Sequence, residues 1–251
     1  MINKTLTFIF ALILNIAICY PALCEEITVG TLRDFKPLME ELQKDFTKEN
    51  TDITINFITD KEDALIEQIQ ITESPIDLLF LDNAELINHL GQIEVIDKNS
   101  IKYIGKDQLC VVVKKSIPMR AFMLYPRTYV MKGLIIANPS QTALGKYTKE
   151  ALTNLGLYKK SAKKILLLDS NSTIVNIVKT GHYDGGIMYC SYAQNSFVDI
   201  TDKLNTDIYS KIKYTTGIKK GIKEDSAVYK FNNYLKSNKA KKILQQFHIS
   251  N

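Results

Sequence analysis

Few side chains in this chain could do covalent chemistry, and none stands in a spacing that would. The three histidines, His89, His182 and His248, are far apart in sequence and each reads as a surface residue. There is no Gly-x-Ser-x-Gly elbow, and Gly145-Lys146 is followed by Tyr147 rather than the Ser or Thr of a phosphate-binding loop. No Cys-x-x-Cys or His-x-x-x-His pair offers a metal site. What the chain does offer is equipment for non-covalent capture. Ser170-Asn171-Ser172 stands before Ile174, Val175, Ile177 and Val178, and Gly181 follows. That is a capped helix start whose first-turn amides lack intrahelical partners and suit an anion. Tyr147 to Leu152 opens another helix, ended by Gly156. Arg33, one of three arginines with Arg120 and Arg127, could add a bidentate grip. The chemistry is that of a binder, not an enzyme.

The elements that would position these groups follow from apolar spacing. Ile27-Thr28-Val29, Ile53 to Phe57, Ile76 to Leu81, Leu109 to Val113, Leu134 to Ile136, Ile165 to Leu168 and Ile187 to Tyr189 read as strands. Ile76 to Leu81 is continuous, as in a strand covered on both faces. Between them lie helical patterns, such as Leu38, Met39, Leu42 and Phe46. Ala227 to Phe247 reads as two closing helices. The alternation predicts an α/β fold with mostly parallel strands and right-handed crossovers. Ligands of such folds sit beyond the carboxyl ends of the strands.

The chain has 251 residues, 45% hydrophobic and 24% charged, with a formal net charge of +5. That charge is too mild to imply a nucleic-acid partner. Lys4 precedes an apolar run from Leu6 to Ile18, broken only by Thr7 and Asn15. Such a run rises only about 20 Å as a helix, short of the roughly 30 Å hydrocarbon core. Residues 1–24 therefore read as a signal peptide, cut after Cys24 and directing the chain to the periplasm. A lipid anchor at Cys19 or Cys24 is disfavoured, because bulky Ile18 and Leu23 precede them. Cys110 and Cys190 would remain, each inside an apolar run. They are expected as buried thiols, although an oxidising compartment would permit them to pair.

Five segments in order then resemble the periplasmic molybdate-binding proteins, the solute receptors of ABC importers. Ile27-Thr28-Val29 stands where that family begins its first strand, and Pro75 to Phe80 resembles its "PADVFI" segment. Asn138-Pro139 with Gly145 to Leu152 and Leu155-Gly156 resembles its "DP…AGxYAxEALxxLG" stretch, the most specific match. Val178 to Gly181 with Asp184 to Tyr189 resembles its "VETG…DAGIVY", and the tail from Phe231 to Phe247 resembles its closing segment. The resemblance implies a two-lobe type II periplasmic binding fold with a ligand cleft between the lobes. It implies a small oxyanion such as molybdate or tungstate as ligand, a cognate permease as partner, a monomer, and no cofactor. Lobe 1 is expected at residues 25–106 plus 196–251 and lobe 2 at 107–195, with a hinge near Lys106 and Ser196.

Carried over residue by residue, the family's site falls on Thr31 or Asp34, Glu62, Leu144, Asn171 and Tyr189. Only Tyr189 matches a family ligand side chain. Asp34 and Glu62 stand where the family has serine hydroxyls, and Thr31 reaches that place only with a three-residue gap. Two ionised carboxylates facing an anion would oppose it, since unit charges 4 Å apart interact by about 4 kcal/mol at an effective dielectric near 20. The simpler expectation makes Asp34 a helix N-cap and turns Glu62 to solvent. The alternative is a rebuilt cleft for another small solute or a metal ion. Tyr189 and Tyr192 beside nearby acids also resemble the phenolate-carboxylate iron sites of other binding proteins.

Overall fold

A computed structural model describes residues 25–115 and 133–250. The expected signal peptide, Arg120 and Arg127 lie outside them. The described chain forms two five-stranded sheets, each flanked by helices.

The first sheet runs β2-β1-β3-β10-β4, built from β1 (Glu25–Leu32), β2 (Ile53–Asp60), β3 (Leu78–Leu81), β4 (Lys102–Asp107) and β10 (Ile212–Ile218). β1, β2 and β3 pair in parallel, and β10 is antiparallel to both its neighbours. The second sheet runs β7-β6-β8-β5-β9, from β5 (Leu109–Lys114), β6 (Leu134–Ala137), β7 (Ile165–Leu168), β8 (Gly185–Tyr189) and β9 (Val198–Lys203). Its pattern repeats the first, with β6, β7 and β8 parallel and β5 alone reversed. Each sheet is thus mostly parallel, as the apolar runs require: β3, β6 and β8 are buried along their whole length.

Helices α1 (Lys36–Phe46), α2 (Glu62–Gln70) and α3 (Ala84–Gln92) cover the first sheet, with α8 (Ala227–Tyr234) and α9 (Asn238–Gln246). α4 (Ala143–Asn154), α5 (Tyr158–Ser161), α6 (Asn171–Thr180) and α7 (Cys190–Gln194) belong to the second half. α1 buries Leu38, Met39, Leu42 and Phe46, the face its spacing predicts. Gly145 allows α4 to start against the Asn138-Pro139 turn. A Cβ there would come within 2.4 Å of the Asn138 carbonyl group.

The chain crosses between sheets twice. Only Gln108 separates β4 from β5, and Leu204 follows β9 on the way back. The crossings are tied together: Leu204 N–H donates to the Leu109 carbonyl at 2.8 Å, and Gln108 Nε2 donates to the Leu204 carbonyl at 2.7 Å. The return crossing corrects the expected boundary at 196. Val198–Lys203 pairs with β5 in the second sheet, so the strand belongs with the residues before it. Cys110 and Cys190 also differ from expectation. They form a disulfide across 80 residues of sequence, with Cα atoms 5.0 Å apart, tying β5 to the start of α7.

Candidate functional site

The carboxyl ends of β1, β2 and β3 face those of β6, β7 and β8 across a cavity of about 180 Å³. Asp34, Glu62 and Asp82 line it from the first half, and Leu144, Asn171 and Tyr189 from the second.

Asp34 follows β1 in a 3-10 turn, Arg33–Phe35. The turn is held by Phe35, whose ring meets Phe80 and Tyr214 edge-on at 5.8 and 5.0 Å. The Asp34 carboxylate does not cap α1, whose N-cap is Phe35. Instead it crosses to the other half. Its Oδ2 accepts the Asn171 amide N–H at 2.7 Å and the Asn171 side-chain amide at 3.0 Å. α6 is fixed for this by a reciprocal cap between Ser170 and Thr173, and Gly181 ends it in the left-handed conformation at φ 77°. An acid of one half thus occupies the anion-favouring end of a helix in the other. Burial raises the Asp34 pKa, while hydrogen bonds from Asn171 and Ser172 oppose that by favouring the charged form.

Glu62 opens α2 and is buried rather than turned to solvent. It accepts from Asn83 Nδ2 at 3.1 Å, and Lys146 Nζ of the second half lies 3.7 Å away. Leu144 stands in the first turn of α4, where Thr142 caps the Gly145 amide at 3.0 Å. Tyr189 ends β8, and its N–H donates to Asn171 Oδ1 at 3.1 Å.

Asp82 is the site residue that the sequence reading missed. It follows β3 directly and is 1% exposed. Its Oδ2 accepts from the Tyr189 phenol, its carbonyl accepts from the Tyr147 hydroxyl at 3.0 Å, and its Oδ1 is buried without a partner. Burial pushes its pKa up to about 7 despite the Tyr189 hydrogen bond, and the charges of Glu62 and Asp34 add to the rise. The available signal was its place just past the carboxyl end of a fully buried strand.

Other expectations fall differently. Thr31 is fully buried inside β1 and its hydroxyl donates to the Phe80 carbonyl at 3.0 Å, so it does not line the cavity. Arg33 reaches the cavity mouth but pairs with Asp60 at 3.4 Å with most of its side chain in solvent. The histidines are exposed. Among the described residues no three or more His, Cys, Asp or Glu side chains come together as a metal-binding group.

A sequence profile of the bacterial extracellular solute-binding protein family matches residues 27–249. The chain belongs to that family. Similar proteins include YvgL of Bacillus subtilis, described as an ABC transporter substrate-binding lipoprotein, 28% identical over 224 residues that cover 88% of this chain and 85% of the relative. The molybdate-binding protein ModA of Haemophilus influenzae is 22% identical over 231 residues, 90% of each chain. Among solved structures, a substrate binding domain assigned to a molybdenum ABC transporter of Clostridium difficile superposes with a TM-score of 0.77 at 22% identity, covering 90% of this chain and 98% of that one. The chain is thus a solute-binding protein rather than an enzyme, and it has the two-lobe type II periplasmic binding fold.

Proposed function

We propose that this solute-binding protein captures a small tetrahedral oxyanion of the molybdate or tungstate kind and presents it to the permease of an ABC importer. One observation carries the reading. The first turn of α6, in a cavity closed by both halves, already holds an anionic group, the Asp34 carboxylate. The Tyr189 phenol and the α4 start converge on the same cavity. Helix amides and hydroxyls can hold a dehydrated oxyanion without a countercharge. Relatives named for molybdate support the same ligand class.

The N-terminal apolar run would act as the export signal, and the chain would work as a monomer outside the cytoplasmic membrane. Residues 25–107 with 204–250 would form one lobe and 108–203 the other. Capture follows from lobe closure, because a ligand held by both halves stabilises the form that docks on the permease.

A second reading has its own observation: Asp34, Asp60, Glu62, Asp82 and Asp169 line the cavity against Arg33 and Lys61. Five acids would suit a solute rich in hydrogen-bond donors, such as an organic amine. A thermal-shift panel on the exported chain separates the two. Stabilisation by molybdate and tungstate but not by sulfate supports the oxyanion. No shift with any oxyanion, together with a shift by an organic amine, supports the second reading.

A further inference from the structure

We propose that Asp34 is the specificity-determining residue of the cleft: its carboxylate stands in the ligand's place on α6, so an oxyanion enters only as Asp34 yields that place and the cleft takes up a proton. The inference rests on the oxyanion reading and asks what that anion must displace.

The geometry makes the two anions competitors. Both hydrogen bonds on Asp34 Oδ2 come from Asn171, one from the helix amide and one from the side chain. An oxyanion using that amide cannot share it with an ionised carboxylate a few ångströms away, because like charges repel strongly where water is excluded. Protonation removes the repulsion and weakens Asp34's own hold on the amide.

Asp82 supplies the second observation. It lines the same cavity with a buried oxygen that has no partner, while its other oxygen is held by Tyr189. An unpartnered buried oxygen is costly. As a carboxylic acid, Asp82 could donate one O–H to an oxygen of the ligand, and both it and the ligand would be satisfied.

The charged groups around this pair are already matched to one another. Arg33 pairs with Asp60 at 3.4 Å, Lys146 with Glu62 at 3.7 Å, and Lys61 reaches Asp169 at 4.0 Å. Asp34 and Asp82 have no cation within ion-pair distance among the described residues. The phenols facing them, Tyr147 of α4, Tyr189 of β8 and Tyr192 of α7, are held neutral by burial. Burial likewise raises Asp34 and brings Asp82 to about 7, so a proton is available to the pair near neutrality.

The test is calorimetric titration of molybdate into the exported chain and its Asp34→Asn variant at pH 6, 7 and 8, in buffers of different ionisation heat. Thermal unfolding of each variant reports its fold. The wild type should bind more tightly as pH falls, by up to about tenfold per pH unit, with close to one proton taken up. Asp34→Asn should bind at least about tenfold more tightly at pH 8 and take up fewer protons than the wild type, keeping only the pH dependence that Asp82 supplies. Wild-type binding that ignores pH, with no gain in Asp34→Asn, overturns the proposal and leaves the oxyanion reading standing. Weaker binding by Asp34→Asn overturns it too, by making Asp34 a contact of the ligand. If neither protein binds molybdate at any of these pH values, both readings fall together.

Discussion

Asp82 has one oxygen on the Tyr189 phenol and the other on nothing, in a place where water is excluded. Its pKa, raised from the usual carboxylate value to about 7, makes this a stability effect. Between roughly pH 4 and 7 the folded state binds a proton that the unfolded chain releases, so stability falls as pH rises through that window. Above pH 7 the whole cost is present. Asp34 and Asp107 are raised by burial and act in the same direction. Urea unfolding should therefore give a lower midpoint at pH 8 than at pH 5.5. Asp82→Asn keeps an acceptor for Tyr189 and should recover a few kcal/mol at pH 8 and about half of that at pH 5.5. An equal effect at both pH values would show that Asp82 does not titrate there. At this scale the sequence was legible by position and misleading by chemistry. Asp34, Glu62, Leu144, Asn171 and Tyr189 all reach one cavity, yet the simplest reading turned both acids away from it. Whether a carboxylate faces solvent depends on partners 137 positions away, as for Asp34 and Asn171, and no local pattern carries that.

Elements were more legible, because strand and helix signals are local. The α6 start at Ser170 and its stop at Gly181 agree with the structure, as do the two closing helices. Strand partners were less so. β9 runs from buried Val198 through four half-buried residues to exposed Lys203, and nothing in those six residues says that its neighbour is β5, some 90 positions earlier. The disulfide has the same character: two cysteines in separate buried runs pair only because β5 and β8 are adjacent. Cys190 directly follows Tyr189, so the bond also anchors the strand end that carries the phenol. Closing a loop of 80 residues should contribute about 4 kcal/mol by restricting the unfolded chain. Cys110→Ser should lower the unfolding free energy by an amount of that order, and reductant should lower the wild type equally. A variant as stable as the reduced and oxidised wild type alike would show that the bond does not form.

On the scale of the whole molecule, the two halves meet closed. Asp34 with Asn171, Asp82 with Tyr189 and Lys146 with Glu62 join them across the cavity, while the paired crossings at Gln108 and Leu204 leave a narrow hinge. Asp107 sits at that hinge, taking hydrogen bonds from Tyr214 at 2.7 Å and from Ser191, one residue from each half. Under the proposed capture, a ligand enters as the contacts across the cavity break and the halves turn about this hinge. The two-lobe plan was readable because five segments in order resembled one family. The boundary near residue 196 was not, because a chain that leaves and re-enters a lobe places its crossing by three-dimensional pairing. Crystals of the exported chain grown with tungstate would test ligand, site and closure together, since tungsten is located by its anomalous scattering. The expected result is one strong peak between the halves, within hydrogen-bond reach of the Asn171 amide and the Tyr189 hydroxyl, with Asp34 moved off that amide. A cavity without a tungsten peak, with Asp34 still bound to Asn171 in crystals shown to contain tungstate, would contradict capture of an oxyanion there.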